Sequence, residues 1–92
     1  MSKPQGEYTI LISKPAKKRL QKLPKNLLSR ISGAIDGLAE VPRPAGFKKL
    51  EGYDNLYRIR VGDWHISYAI EDDRLIVLII EVAPSGGAYQ RP

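Results

Sequence analysis

The chain has 92 residues, a net charge of +5 and a pI near 9.6, with 42% hydrophobic and 27% charged residues. That mixture suits one small globular domain spanning 1–92 and argues against disorder, while the basic balance favours a polyanionic partner. No apolar run approaches the ~20 residues of a membrane span, and the absence of cysteine excludes disulfides, thiolate nucleophiles and zinc–thiolate sites.

The N-terminus carries no apolar segment of signal-peptide type, so the cytoplasm is the expected compartment and no membrane partner is expected. With His65 as the single histidine and acids that lack ligand spacing, the sequence offers no metal motif and implies no cofactor. Residues 1–7 form a polar lead-in. Tyr8 to Ile12 is rich in β-formers and predicts a first strand. Ser13-Lys14-Pro15 supplies a capping hydroxyl and a first-turn proline for a short helix over Ala16 to Leu23, with Leu20 and Leu23 inward. Its other positions include Lys17, Lys18, Arg19 and Lys22, a solvated basic face suited to RNA phosphates.

Pro24 separates this helix from a second, predicted from about Lys25 to Glu40. Leu27, Leu28, Ile31, Ala34, Ile35 and Leu38 recur at three- and four-residue steps and give it one apolar stripe. The prolines at 42 and 44 and Gly46 end the helical pattern. Residues 47–55 are an extended, turn-rich approach to the next strand.

From Leu56 to Tyr68 apolar and polar residues alternate on both sides of Gly62-Asp63, the pattern of a β-hairpin with a two-residue turn. This register opposes Arg60 to His65 and Arg58 to Ser67. One face then carries Tyr57, Ile59, Val61, Trp64, Ile66 and Tyr68, and the other Arg58, Arg60, His65 and Ser67. A second turn at Glu71 to Arg74 leads into the apolar run Leu75 to Val82, which predicts a strand interior to its sheet. Ala83 to Pro92 is expected to be a flexible tail. The order is β-α-α-β-β-β, an α+β domain whose helical hairpin packs on one face of a small, mainly antiparallel sheet. The Arg58, Arg60 and His65 face is left open, bordered by Lys48 and Lys49 and by Tyr89 of the tail.

The block Phe47-Lys48-Lys49-Leu50, the hairpin Tyr57 to Tyr68, Val82-Ala83-Pro84 and the terminal Tyr89 together resemble the RelE toxin family of the RelE/ParE superfamily. The resemblance covers nearly the whole chain. It implies a bacterial type II toxin that enters the ribosomal A site and cuts mRNA without a metal. In that reaction the RNA 2′-hydroxyl attacks its own 3′-phosphate. It also implies a cognate RelB-like antitoxin, with operator DNA reached only through that antitoxin.

By the same resemblance Arg58 and Arg60 match the paired basic positions of the family's active-site strand, and Tyr89 its terminal, substrate-orienting tyrosine. His65 and Ser85 stand where the family has arginines that stabilise the phosphate. The two departures imply an attenuated toxin, whose activity exchange of both residues for arginine would restore. Three readings stay open on sequence: a ribosome-dependent endonuclease, a ParE-like gyrase inhibitor, and a non-toxic, antitoxin-binding remnant.

Overall fold

The computed structural model describes residues 7–85, so the proposed lead-in before Glu7 and the expected Tyr89 position lie outside the described residues. The elements are β1 (Thr9–Ile12), α1 (Lys14–Gln21), α2 (Lys25–Gly37), β2 (Lys48–Lys49), β3 (Leu56–Val61), β4 (Trp64–Glu71) and β5 (Ile76–Pro84). They build one five-stranded sheet in the order β1-β5-β4-β3-β2. Only β1 and β5 pair in parallel; the other neighbours are antiparallel. The expected α+β layering is observed. The short β2, within the stretch expected to be an irregular approach, adds an edge strand by pairing Lys48 with Arg58 and Lys49 with Tyr57.

Ile31, Ile35 and Leu38 of the α2 stripe and Ala16 of α1 are buried against Tyr57, Ile59, Ile66, Tyr68, Ile70, Val77, Ile79 and Val82 of the sheet. Each fully buried aliphatic side chain contributes roughly 1.5–3 kcal/mol, so this interface holds the two layers together. The helix α2 stops at Gly37, three residues before the expected Glu40. Leu38 and Ala39 donate to the carbonyls three residues back, at 3.0 and 3.1 Å, and tighten the last turn. Pro42 disfavours a helical Val41, which forces the exit.

The connection from Val41 to Phe47 is tied to the sheet by polar and aromatic contacts. Tyr68 donates its hydroxyl to the Pro42 carbonyl at 2.8 Å, and Arg43 bridges Asp72 at 3.0 Å while lying over the Tyr57 ring. Phe47 meets the same ring at 5.8 Å. These contacts fix the segment that delivers Gly46 and Lys48 to the sheet's far face.

The decisive irregularity is in β5. Its register with β4 is continuous from Ile76–Glu71 to Ile79–Tyr68, and again from Glu81–Ser67 to Pro84–Trp64. Ile80 is the extra residue between these two runs. Such a bulge reverses the facing of everything beyond it. Before it Val77 and Ile79 point to the core; after it Val82 does, so Glu81, Ala83 and Ser85 share the face of His65 and Ser67. Strand β5 also runs to Pro84 rather than dissolving at Ala83 into the expected tail, because Ala83 and Pro84 pair with His65 and Trp64.

Ser13 joins this bulge to the helical layer. Its hydroxyl accepts the Ala16 N–H at 3.3 Å as the α1 cap and donates to the Ile80 carbonyl at 2.9 Å. Replacing Ser13 by alanine removes the cap and leaves that carbonyl short of its donor. We expect S13A to lose about 1–2 kcal/mol of unfolding free energy in urea titration; a loss confined to a few tenths would show that the bulge does not need this clamp.

Candidate active site

The register of β3 and β4 is the one the alternation predicts: Arg58 opposes Ser67, Ile59 opposes Ile66, Arg60 opposes His65 and Val61 opposes Trp64. At the hairpin tip Gly62 has φ +62 while Asp63 keeps an ordinary φ, the pattern of a type II′ turn that favours glycine at its first position. A side chain there would also meet the Arg30 guanidinium at 2.9 Å. The turn's carbonyls organise the site. Gly62 accepts from Arg60 Nε at 2.9 Å, and Asp63 accepts from the Ser85 backbone N–H at 2.6 Å.

These constraints enclose a hollow of about 340 Å³ lined by Gly46, Lys48, Arg58, Ile59, Arg60, His65 and Ser85. Its volume falls in the usual range for ligand pockets, and its charged lining comes from three fixed cations. Two of its polar atoms are buried without a hydrogen-bond partner, Arg58 Nε and Ser85 Oγ. Buried donors are normally satisfied, so these two are polar groups of the hollow with hydrogen-bonding capacity to spare.

His65 differs from the exposed imidazole that an open sheet face suggests. It is only 7% exposed, enclosed by neighbours on both adjoining strands. Burial, followed by the nearby Arg58 guanidinium, holds its pKa below the ordinary histidine value, and the Glu81 carboxylate only partly offsets them. The Nε2–Glu81 Oε1 separation is 3.8 Å, an electrostatic contact longer than a hydrogen bond. At neutral pH this shift favours the uncharged imidazole.

The pocket thus unites Arg58, Arg60, His65, Ser85 and Lys48 from the residues singled out in the sequence. It does not include Lys49, which opposes Tyr57 on the helix-facing side of β2. Nor does it include Lys17, Lys18 and Arg19 of α1 or Lys22 at its C-cap, since α1 covers the opposite sheet face. There Lys18, Arg19 and Lys22 flank a separate hollow with Trp64, and Arg19 lies 5.7 Å from the centre of its indole ring. Sequence reasoning missed Gly46 and Glu81. Glu81 is the lone charge in the apolar run, and that isolation was the available signal.

A model of the ParE toxin of type II toxin–antitoxin systems matches residues 10–89. The chain belongs to the RelE/ParE family of type II toxins. It is 30% identical to a Methanocaldococcus jannaschii protein named "Putative toxin RelE1", over 94% of this chain and 99% of that one. Its fold matches RelE in the RelE–RelB complex of Pyrococcus horikoshii at a TM-score of 0.79 and 32% identity, covering 88% of this chain and 98% of that one. The isolated Escherichia coli RelE toxin shares the fold at a TM-score of 0.76 and 22% identity, over 89% and 90% of the two chains. The protein is accordingly a RelE-like toxin of a type II toxin–antitoxin system.

The depressed pKa of His65 has a consequence for stability. Between the folded value and the unfolded value of about 6.5 the unfolded chain binds more protons, so folding weakens as pH falls through that window. We expect the unfolding free energy of wild type to drop below pH 6.5 relative to that of His65→Gln. Parallel pH profiles for the two proteins would contradict the assignment.

Proposed function

We propose that this toxin is a ribosome-dependent mRNA endonuclease and that the Arg58–Arg60 pocket holds the scissile phosphodiester. The observation that carries the reading is the pair of buried, unpartnered groups, Arg58 Nε and Ser85 Oγ, in a hollow also lined by Arg60 and Lys48. An ordinary solvated sheet face leaves its guanidinium groups in water. Here the half-buried Arg58 has its Nε shielded from water with that donor unspent.

The RNA 2′-oxygen attacks the adjacent phosphorus, the P–O5′ bond breaks, and a 2′,3′-cyclic phosphate and a 5′-hydroxyl result. One proton leaves the 2′-hydroxyl and one reaches the 5′-oxygen, so the step consumes no other reactant. Negative charge accumulates on the nonbridging oxygens during attack, where fixed guanidinium groups lower the barrier. Arg58 and Arg60 supply these, with Arg60 held in place through Gly62. Lys48 follows the strand of phosphates at the rim, and Tyr89, beyond the described residues, is assigned to orient the substrate base. Lys49 and the α1 cations contact ribosomal RNA phosphates away from the chemistry, in a sequence-independent and salt-sensitive way.

A RelB-like antitoxin completes the system. The Pyrococcus horikoshii and Methanococcus jannaschii neighbours are RelE–RelB complexes, the latter 27% identical with a TM-score of 0.69 over 89% of this chain. Beside the basic pocket the same sheet face continues as the cross-strand row Leu11, Leu78, Ala69 and Leu56, with Leu11 46% exposed. An acidic segment with apolar anchors suits that combination of row and pocket.

The test is cleavage of ribosome-bound mRNA mapped by primer extension. Wild type should cut within the A-site codon, and R58A/R60A, checked to be folded by its circular dichroism, should cut about 10²–10³-fold more slowly. Ser85→Arg should raise the wild-type rate by placing a cation where a neutral hydroxyl now stands. Intact mRNA together with inhibition of gyrase supercoiling would overturn the reading in favour of a gyrase inhibitor.

A further inference from the structure

Beside the pocket, against His65, stands a carboxylate that an anion site does not call for. Glu81 lies on the pocket side of β5 only because of the Ile80 bulge. An unbroken strand would turn it, like Val77 and Ile79, toward the core. Its Oε1 faces His65 Nε2 at 3.8 Å while its side chain stays 60% exposed. A negative charge beside a phosphodiester weakens anion binding, so by charge alone Glu81 opposes the work of Arg58 and Arg60. Its place is explained if its electrostatic partner is the imidazole.

We propose that Glu81 is a positioning residue for His65, and that His65 is the proton acceptor for the RNA 2′-hydroxyl in this pocket. The inference rests on the endonuclease reading and gives it the base that the two arginines cannot provide. Glu81 faces the Nε2 edge of the imidazole at 3.8 Å and stabilises electrostatically the imidazolium that forms when the ring takes the proton. A carboxylate plays this part toward histidine in other acid–base sites, though here its side chain is 60% exposed. The 2′-oxygen then bonds to phosphorus, the P–O5′ bond breaks, and the imidazolium gives its proton to the 5′-oxygen, directly or through a solvent molecule, which leaves the protein unchanged.

The groups facing His65 are consistent with this assignment from every strand around it. From β3 come Arg58, which favours the neutral ring, and Arg60, whose Nε is engaged by Gly62. On β4 itself the same-face neighbour is the buried residue Ser67. From β5 come Glu81, the single carboxylate in contact with the ring among the described residues, and Ser85 at the pocket wall. The ring is neutral and ready to accept a proton in the free protein, and Glu81 favours the charged form as the proton arrives.

His65 is the only histidine in the chain, so its imidazole gives a single set of NMR signals that report the proposed contact without any need for activity. Full-length wild type, Glu81→Gln, Glu81→Asp and His65→Arg are compared in two measurements. One is the NMR titration of the ring, and the other is the pH dependence of single-turnover cleavage of ribosome-bound mRNA. Glu81→Gln should move the ring's titration midpoint to lower pH and slow cleavage about 10-fold, and the midpoint of the rate profile should move with the ring's. Glu81→Asp should recover part of both effects. His65→Arg should slow cleavage about 10²-fold or more. A faster His65→Arg enzyme would overturn the inference, because it would make position 65 a phosphate clamp. An active wild type whose Glu81→Gln variant matches it in ring midpoint and rate profile would overturn it while leaving the endonuclease reading intact. A wild type that cleaves nothing refutes both, and the ring titration then reports whether the contact exists without a catalytic role.

Discussion

One extra residue in one strand determines what this sheet can do. Ile80 is inserted opposite the step from Ser67 to Tyr68, and beyond it every β5 side chain changes face. Val82 takes over the core position, while Glu81, Ala83 and Ser85 join His65. Without the shift the pocket would lose its Ser85 wall and His65 its carboxylate. Bulges of this kind re-aim side chains near functional sites because a strand's alternation otherwise leaves no freedom in facing. The bulge is in turn held by Ser13, so the start of α1 on one side of the sheet supports the geometry on the other.

The hairpin was legible from its residues because one face is apolar and the other is not. A one-residue slip would bury Arg58 and Arg60, so the register of Arg60 with His65 could be read directly. The run from Leu75 to Val82 lacked that contrast. A strand apolar on both faces shows no phase, and a phase shift inside it is invisible. For that reason the sequence missed Glu81 as a site residue and mistook Ala83 and Pro84 for tail. The burial of His65 was hidden for the same reason, since its β5 neighbours were unassigned. The two-residue β2 is too short to carry a pattern, and the early end of α2 depended on the conflict between Val41 and Pro42.

The site's charges divide into two kinds. Arg58 and Arg60 are permanent cations placed by alternation along β3, and Arg60 is further fixed by the carbonyl of its own hairpin turn. His65 is a titratable group kept neutral by burial and by Arg58, with Glu81 as a counterweight. The family resemblance alone makes positions 65 and 85 look like losses, two arginines replaced by weaker groups. The geometry gives position 65 a different chemistry, an imidazole backed by a carboxylate. Position 85 keeps a backbone anchored on Asp63 and an unpartnered hydroxyl at the pocket wall.

The central claim is that this pocket receives the scissile phosphate. A crystal structure of the toxin with a short RNA carrying a 2′-O-methyl group at the cleavage position would test it most directly, because the blocked hydroxyl keeps the bond intact. A phosphate oxygen is expected within hydrogen-bonding distance of Arg58 Nε and Ser85 Oγ, with the methylated 2′-oxygen toward His65. A phosphate bound instead at Lys18, Arg19 and Lys22 on the α1 side, with the pocket empty, would contradict it.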